Sequence, residues 1–121
     1  MEKQKILIAD DSEMNRALLV DILEDQYDIV EADNGAAAID LLTQCGGDFS
    51  LLLLDIMMPE MDGFEVLAYI NRYHLNDTLA VIMISADDSP ANIKRAYDLG
   101  AFDYISRPFD AAIVRRRISN T

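Results

Sequence analysis

Leu51-Leu52-Leu53-Leu54-Asp55-Ile56-Met57-Met58-Pro59-Glu60-Met61-Asp62-Gly63 joins an unbroken leucine run to a carboxylate and then to a Pro/Gly loop. Four leucines between Ser50 and that loop suit a strand buried on both faces, the pattern of a central strand in a parallel sheet. Ligands of open α/β sheets gather beyond the carboxyl ends of the strands, which is where Asp55 stands. Asp62 directly precedes Gly63 and a helical pattern, so it is the better helix cap. Asp55 is left without a structural task.

On either side of this segment, strand and helix alternate. Residues 5–9 form a short apolar strand ending in Asp10-Asp11. Ser12 caps a helix through about Glu24, with Met14, Leu18, Leu19, Ile22 and Leu23 on one broad face. Residues 27–32 alternate in character, as a strand nearer the sheet edge does. Asn34-Gly35 opens a second helix, and Gly46-Gly47 stops it. A third helix runs from Phe64 to about Tyr73, and a fourth strand over 79–84 leaves Ser85 at its carboxyl end. Ser89-Pro90 opens a fourth helix with Ile93, Ala96 and Tyr97 inside and Gly100 at its end. Residues 101–105 make a fifth strand, and Asp110 caps a last helix carrying Ala111, Val114 and Ile118 on one side. Five such units predict an α/β, doubly wound, five-stranded parallel sheet with helices on both faces. The most apolar strands, the first, third and fourth, favour the order 2-1-3-4-5.

The 121 residues are read as one domain over 1–121, with 51% hydrophobic residues and a formal net charge of −12. That charge disfavours nucleic acid and anionic membrane surfaces as direct partners. No apolar run approaches the roughly 20 residues of a membrane span. The single cysteine, Cys45, excludes an internal disulfide and fits a reducing compartment such as the cytoplasm. Its apolar helical setting reads as a buried, inert thiol. The Arg115-Arg116-Arg117 run fans around its helix and reads as a solvated face.

The predicted topology gathers Asp10, Asp11, Asp55, Ser85 and Arg107 at one sheet edge. Converging carboxylates repel one another unless a cation neutralises them, and carboxylates, a carbonyl and waters suit Mg²⁺. A hydroxyl and a cation beyond Asp55 suit the oxygens of an incoming phosphoryl group, with Asp55 as the nucleophile. Such a carboxylate is already ionised and needs no base. The one histidine, His74, falls at the end of the third helix.

Taken together, Asp10-Asp11, Leu54-Asp55-Ile56-Met57-Met58-Pro59 with Met61-Asp62-Gly63, Ser85-Ala86 and Tyr104-Ile105-Ser106-Arg107-Pro108-Phe109 resemble the receiver domain of two-component response regulators. The resemblance covers essentially the whole chain. It implies that Asp55 accepts a phosphoryl group from a sensor histidine kinase or phosphotransfer protein, and that no external substrate is turned over. It implies Mg²⁺ held by Asp11, Asp55 and the main-chain oxygen of Met57, with Asp10 acting through water. Ser85 and the basic residue Arg107 would bind the phosphoryl oxygens, Tyr104 would be the switching aromatic, and Arg107-Pro108 would be a cis bond. A surface of the fourth helix, fifth strand and fifth helix would then change, serving an output domain or a homodimer. The last helix has no glycine or proline stop, which favours an N-terminal receiver of a longer protein.

The family normally carries lysine where this chain has Arg107. Guanidinium keeps the charge but is wider, planar and forked, and it can form a standing pair with a carboxylate. That departure supports a pseudo-receiver, an interaction module of the same fold that takes no phosphate. A flavin carrier would need a Gly/Ser/Thr-rich phosphate loop where Asp10-Asp11-Ser12-Glu13 stands. An aspartyl-phosphate hydrolase would typically carry an acid at the position of Met57.

Overall fold

The leucine run lies in strand β3, Phe49–Asp55, and its alternate side chains divide between two cores. Leu52 and Leu54 enter one core, Leu51 and Leu53 the other. A strand covered on both faces has no polar side to show, so its leucines run on without alternation. Each such leucine contributes on the order of 2 kcal/mol of transfer free energy.

The computed structural model describes residues 4–45, 48–73, 79–85, 89–107 and 109–120, without the side chain of Cys45. The expectations for Cys45, the Gly46-Gly47 stop, His74, Ala86 and the Arg107-Pro108 bond lie outside the described residues. The elements follow as β1 Lys5–Ala9, α1 Glu13–Leu23, β2 Asp28–Ala32, α2 Gly35–Cys45, β3, α3 Gly63–Arg72, β4 Ala80–Ser85, α4 Pro90–Asp98, β5 Asp103–Ser106 and α5 Ala111–Ser119. The strands are parallel in the order β2-β1-β3-β4-β5, as the sequence predicts. One core holds α2, α3 and α4 against the sheet through residues such as Leu42, Leu67, Ile70 and Ala96. The other holds α1 and α5 through Leu19, Leu23, Val114 and Ile118. Among the described residues, no helix is long and apolar enough to cross a membrane.

Two predicted inner faces are narrower than expected. Met14 is 75% exposed and Leu18 48%, whereas Leu19 and Leu23 are buried. Met14 and Leu18 share one i,i+4 row and Leu19 and Leu23 the next; the second row is buried, while the first reaches the core only at Ile22. In α4, Ala96 is buried while Tyr97 is rotated outward, where its hydroxyl donates to Asp103 at 3.1 Å. The fifth strand begins at Asp103 rather than Ala101. Before it the chain leaves α4 through Gly100, whose φ of 97° is left-handed and suits glycine.

Candidate functional site

Strand register places the site residues along one edge. Ala9 pairs with Leu54, so Asp10 emerges beside Asp55. Asp55 pairs with Ile84, and Ser85 pairs with Ser106, one residue before Arg107. The ladder continues past the strand ends: Ile56 N–H donates to the Ile84 carbonyl, and Arg107 N–H to the Ser85 carbonyl, both at 3.0 Å. Asp55, Ser85 and Arg107 are thus held through neighbouring backbone as well as by their own strands.

Among the described residues, Asp10, Asp55 and Ser85 are the buried polar ones, at 0%, 1% and 1% exposure. Asp10, Asp11 and Asp55 each offer a carboxylate oxygen, and these oxygens lie within 4.8 Å of one another. Oδ1 of Asp10 accepts from Ser12 N–H at 2.9 Å, and its Oδ2 accepts from Nη2 of Arg107. Oδ1 of Asp55 accepts a long bond from Met57 N–H and lies 3.4 Å from the same Arg107 nitrogen. Oδ2 of Asp55 is buried without a hydrogen-bond partner among the described residues, as is Nε of Arg107. Burial pushes the Asp55 carboxyl up from 3.8 to about 7, Asp10 adds to the rise, and Arg107 and Met57 N–H oppose it. A buried, unpartnered carboxylate oxygen beside two other carboxylates fits a hard divalent cation such as Mg²⁺.

The loop after β3 is folded tightly back on the strand end. Met61 N–H donates to the Pro59 carbonyl at 2.7 Å around Glu60, whose φ of 68° is unusual for a side-chain-bearing residue. Gly63 N–H then donates to the Ile56 carbonyl at 2.8 Å. A Cβ on Gly63 would stand 2.4 Å from the Asp55 carbonyl oxygen and 2.8 Å from Ile56 Cα, so only glycine allows this approach. Asp62 caps α3 by accepting from Glu65 N–H at 2.9 Å, as expected, and Asp55 takes no part in capping.

The other expected residues divide. Ser85 lies buried at the end of β4, and Tyr104 is buried in the core beside α4. The Met57 side chain is exposed. Arg107 reaches Asp10 more closely than Asp55, a partner the sequence reading did not single out. The arginine run is only partly solvated: Arg115 donates to the Ile22 carbonyl, and Arg117 to Asp103 and to the Tyr104 carbonyl. Arg16 was missed altogether. Its Nη1 donates to the Asp10 carbonyl at 2.6 Å, and its Nε to Glu31 at 3.2 Å. The available signal was its place one turn beyond the cap Ser12, because helical side chains lean toward the helix N-terminus.

The chain matches the model of the response regulator receiver domain over residues 6–119. It is 36% identical to the chemotaxis protein CheY of Halobacterium salinarum, over 99% of this chain and 97% of that protein. It is 35% identical to a probable cyclic di-GMP phosphodiesterase of Vibrio cholerae over 93% of this chain, but spans only 25% of that protein's length. The phosphodiesterase name therefore describes a protein most of which lies outside the match. Among solved structures, the CheX–CheY–BeF3–Mg²⁺ complex of Borrelia burgdorferi contains a chain with a TM-score of 0.92 and 30% identity, covering 98% of this chain and 89% of that one. Sequence, topology and this match agree: the chain belongs to the response regulator receiver domain family.

Proposed function

We propose that this receiver domain is a phosphoacceptor, with Asp55 taking a phosphoryl group from a phosphohistidine of a sensor kinase or phosphotransfer protein. The observation that carries the reading is the clustering of the Asp10, Asp11 and Asp55 oxygens within 4.8 Å, with Asp55 Oδ2 buried and unpartnered. Asp11, Asp55 and the Met57 carbonyl would hold Mg²⁺, with Asp10 acting through water. The ion would neutralise the acidic cleft and the arriving oxygens. With its proton released to solvent, the ionised Asp55 carboxylate attacks phosphorus through one oxygen as the bond to the histidine nitrogen breaks, and that nitrogen keeps the electron pair. Ser85 and Arg107 would receive the phosphoryl oxygens. The similarity to a chain of the Borrelia burgdorferi complex, which contains BeF3 and Mg²⁺, supports the same ligands here.

The conformational output would pass from Ser85 through Tyr104 to the face of α4, β5 and α5. That face exposes Tyr97, Phe102 and Ile113, beside a cavity of about 380 Å³ lined by Asp103, Ile113, Arg116, Arg117 and Asn120. It would serve a homodimer or an output domain C-terminal to this chain, in the cytoplasm.

A second reading rests on Arg107. Its standing contacts with Asp10 and Asp55 supply an internal counter-ion, which is what a pseudo-receiver of the same fold would use. Thermal unfolding with millimolar Mg²⁺ and with beryllium fluoride, in wild type and in Asp11→Asn and Asp55→Asn, separates the two. The phosphoacceptor should gain stability from each addition, because a ligand of the native state alone raises the midpoint. No gain in wild type would leave the pseudo-receiver.

A further inference from the structure

The Asp11 carboxylate joins the acidic cluster although it is exposed and no side-chain hydrogen bond holds it among the described residues. Its direction is therefore set by the backbone that carries it, and that backbone is held from outside the cleft. Asp10 N–H donates to the Ala32 carbonyl at 3.1 Å, tying the preceding peptide to β2. The Asp10 carbonyl accepts from Nη1 of Arg16 at 2.6 Å, and the same guanidinium gives Nε to Glu31 of β2. Arg16 N–H closes the first turn of α1 on the Ser12 carbonyl at 3.0 Å, so its side chain leans back over the end of β1. Its side chain is 15% exposed.

We infer that Arg16 is a positioning residue for the divalent cation: by gripping the Asp10 carbonyl, it orients the peptide from which Asp11 projects and so sets cation affinity. The inference rests on reading the cleft as a cation site. It concerns a residue that donates to none of the three carboxylates. Coulomb's law alone makes the opposite claim, since removing a cation beside an acidic cluster should tighten Mg²⁺ binding. Glu31, 3.2 Å from Nε, already offsets much of that charge, so the loss of orientation should prevail. Groups that orient metal ligands from outside the first coordination sphere typically govern affinity by about tenfold to a hundredfold.

The test is the Mg²⁺ dissociation constant by calorimetric titration of the full chain, for wild type, Arg16→Ala and Arg16→Lys, with each metal-free thermal midpoint measured alongside. Arg16→Ala should bind Mg²⁺ about tenfold more weakly. Arg16→Lys keeps the charge and one donor for the Asp10 carbonyl but not the fixed fork, and should fall between the two. It also serves if Arg16→Ala does not fold. An equal or tighter constant in the variants overturns the inference, whatever their loss of stability, and leaves Arg16 as a strut between α1 and β2. If wild type itself binds no Mg²⁺, the cation reading fails first and this inference fails with it.

Discussion

A single nitrogen, Nη2 of Arg107, donates to Oδ2 of Asp10 across 97 positions of the chain, while lying 3.4 Å from Oδ1 of Asp55. The Asp10 carboxylate is fully buried and the Arg107 side chain 18% exposed, so this contact is screened far less than a surface pair.

Arg107→Met should therefore leave two buried carboxylates facing each other and cost the metal-free protein about 3 kcal/mol in urea unfolding. Added Mg²⁺ should recover part of the loss. Arg107→Lys should act differently. A lysine ammonium is a flexible point charge, so it would hold the resting arrangement less firmly. The change in sedimentation between metal-free and beryllium fluoride forms should then be larger than in wild type, since a ligand shifts an equilibrium only by its differential affinity for the two states. Equal changes would make the arginine a neutral replacement.

Stability should depend on pH through Asp55. Its carboxyl is raised from 3.8 to about 7, chiefly by burial and then by Asp10, so the native state holds this proton more tightly than the unfolded chain. The stabilisation is complete below pH 3.8 and is lost as pH rises through about 7. The metal-free melting midpoint should fall across that window in wild type and fall less in Asp55→Asn. At pH 8, Mg²⁺ should restore what the wild type has lost. Parallel curves for the two proteins would remove Asp55 as the source.

Gly63→Ala should cost about 2 kcal/mol or more, as overpacking does, because the new methyl would meet Asp55 and Ile56 backbone rather than a yielding side chain. Mg²⁺ affinity should weaken with it, since the backbone that must move carries Asp55. Denaturant unfolding and metal titration of one sample test both effects. Unchanged stability would mean that α3 can withdraw without disturbing the strand.

The sheet was legible because Leu51 to Leu54, like the apolar runs in β1 and β4, needs both faces covered, and Asp55 stood out because Asp62 already supplied the cap. Register then brought Asp10, Asp55, Ser85 and Arg107 to one edge. Side-chain partnerships were less legible. Which carboxylate Arg107 reaches depends on its rotamer, and Arg16 serves a backbone carbonyl, an acceptor that every residue has and no sequence marks. Met14 and Leu18 misled for a simpler reason. They are apolar and helically spaced, but their row meets the core only at its far end, at Ile22.

The cleft draws on residues 10, 55 and 107, so it forms only after distant segments have paired in a parallel sheet. Its electrostatic repulsion is therefore absent from the early collapsed chain and is met near the end of folding. A cation that relieves a late repulsion deepens the native basin more than it lowers the barrier into it. In stopped-flow experiments, Mg²⁺ should slow unfolding and leave the refolding rate nearly constant, while equal changes in both rates would mean the cleft is already half built at the barrier. Charge at this edge would then govern how long the folded molecule lasts more than how fast it is made.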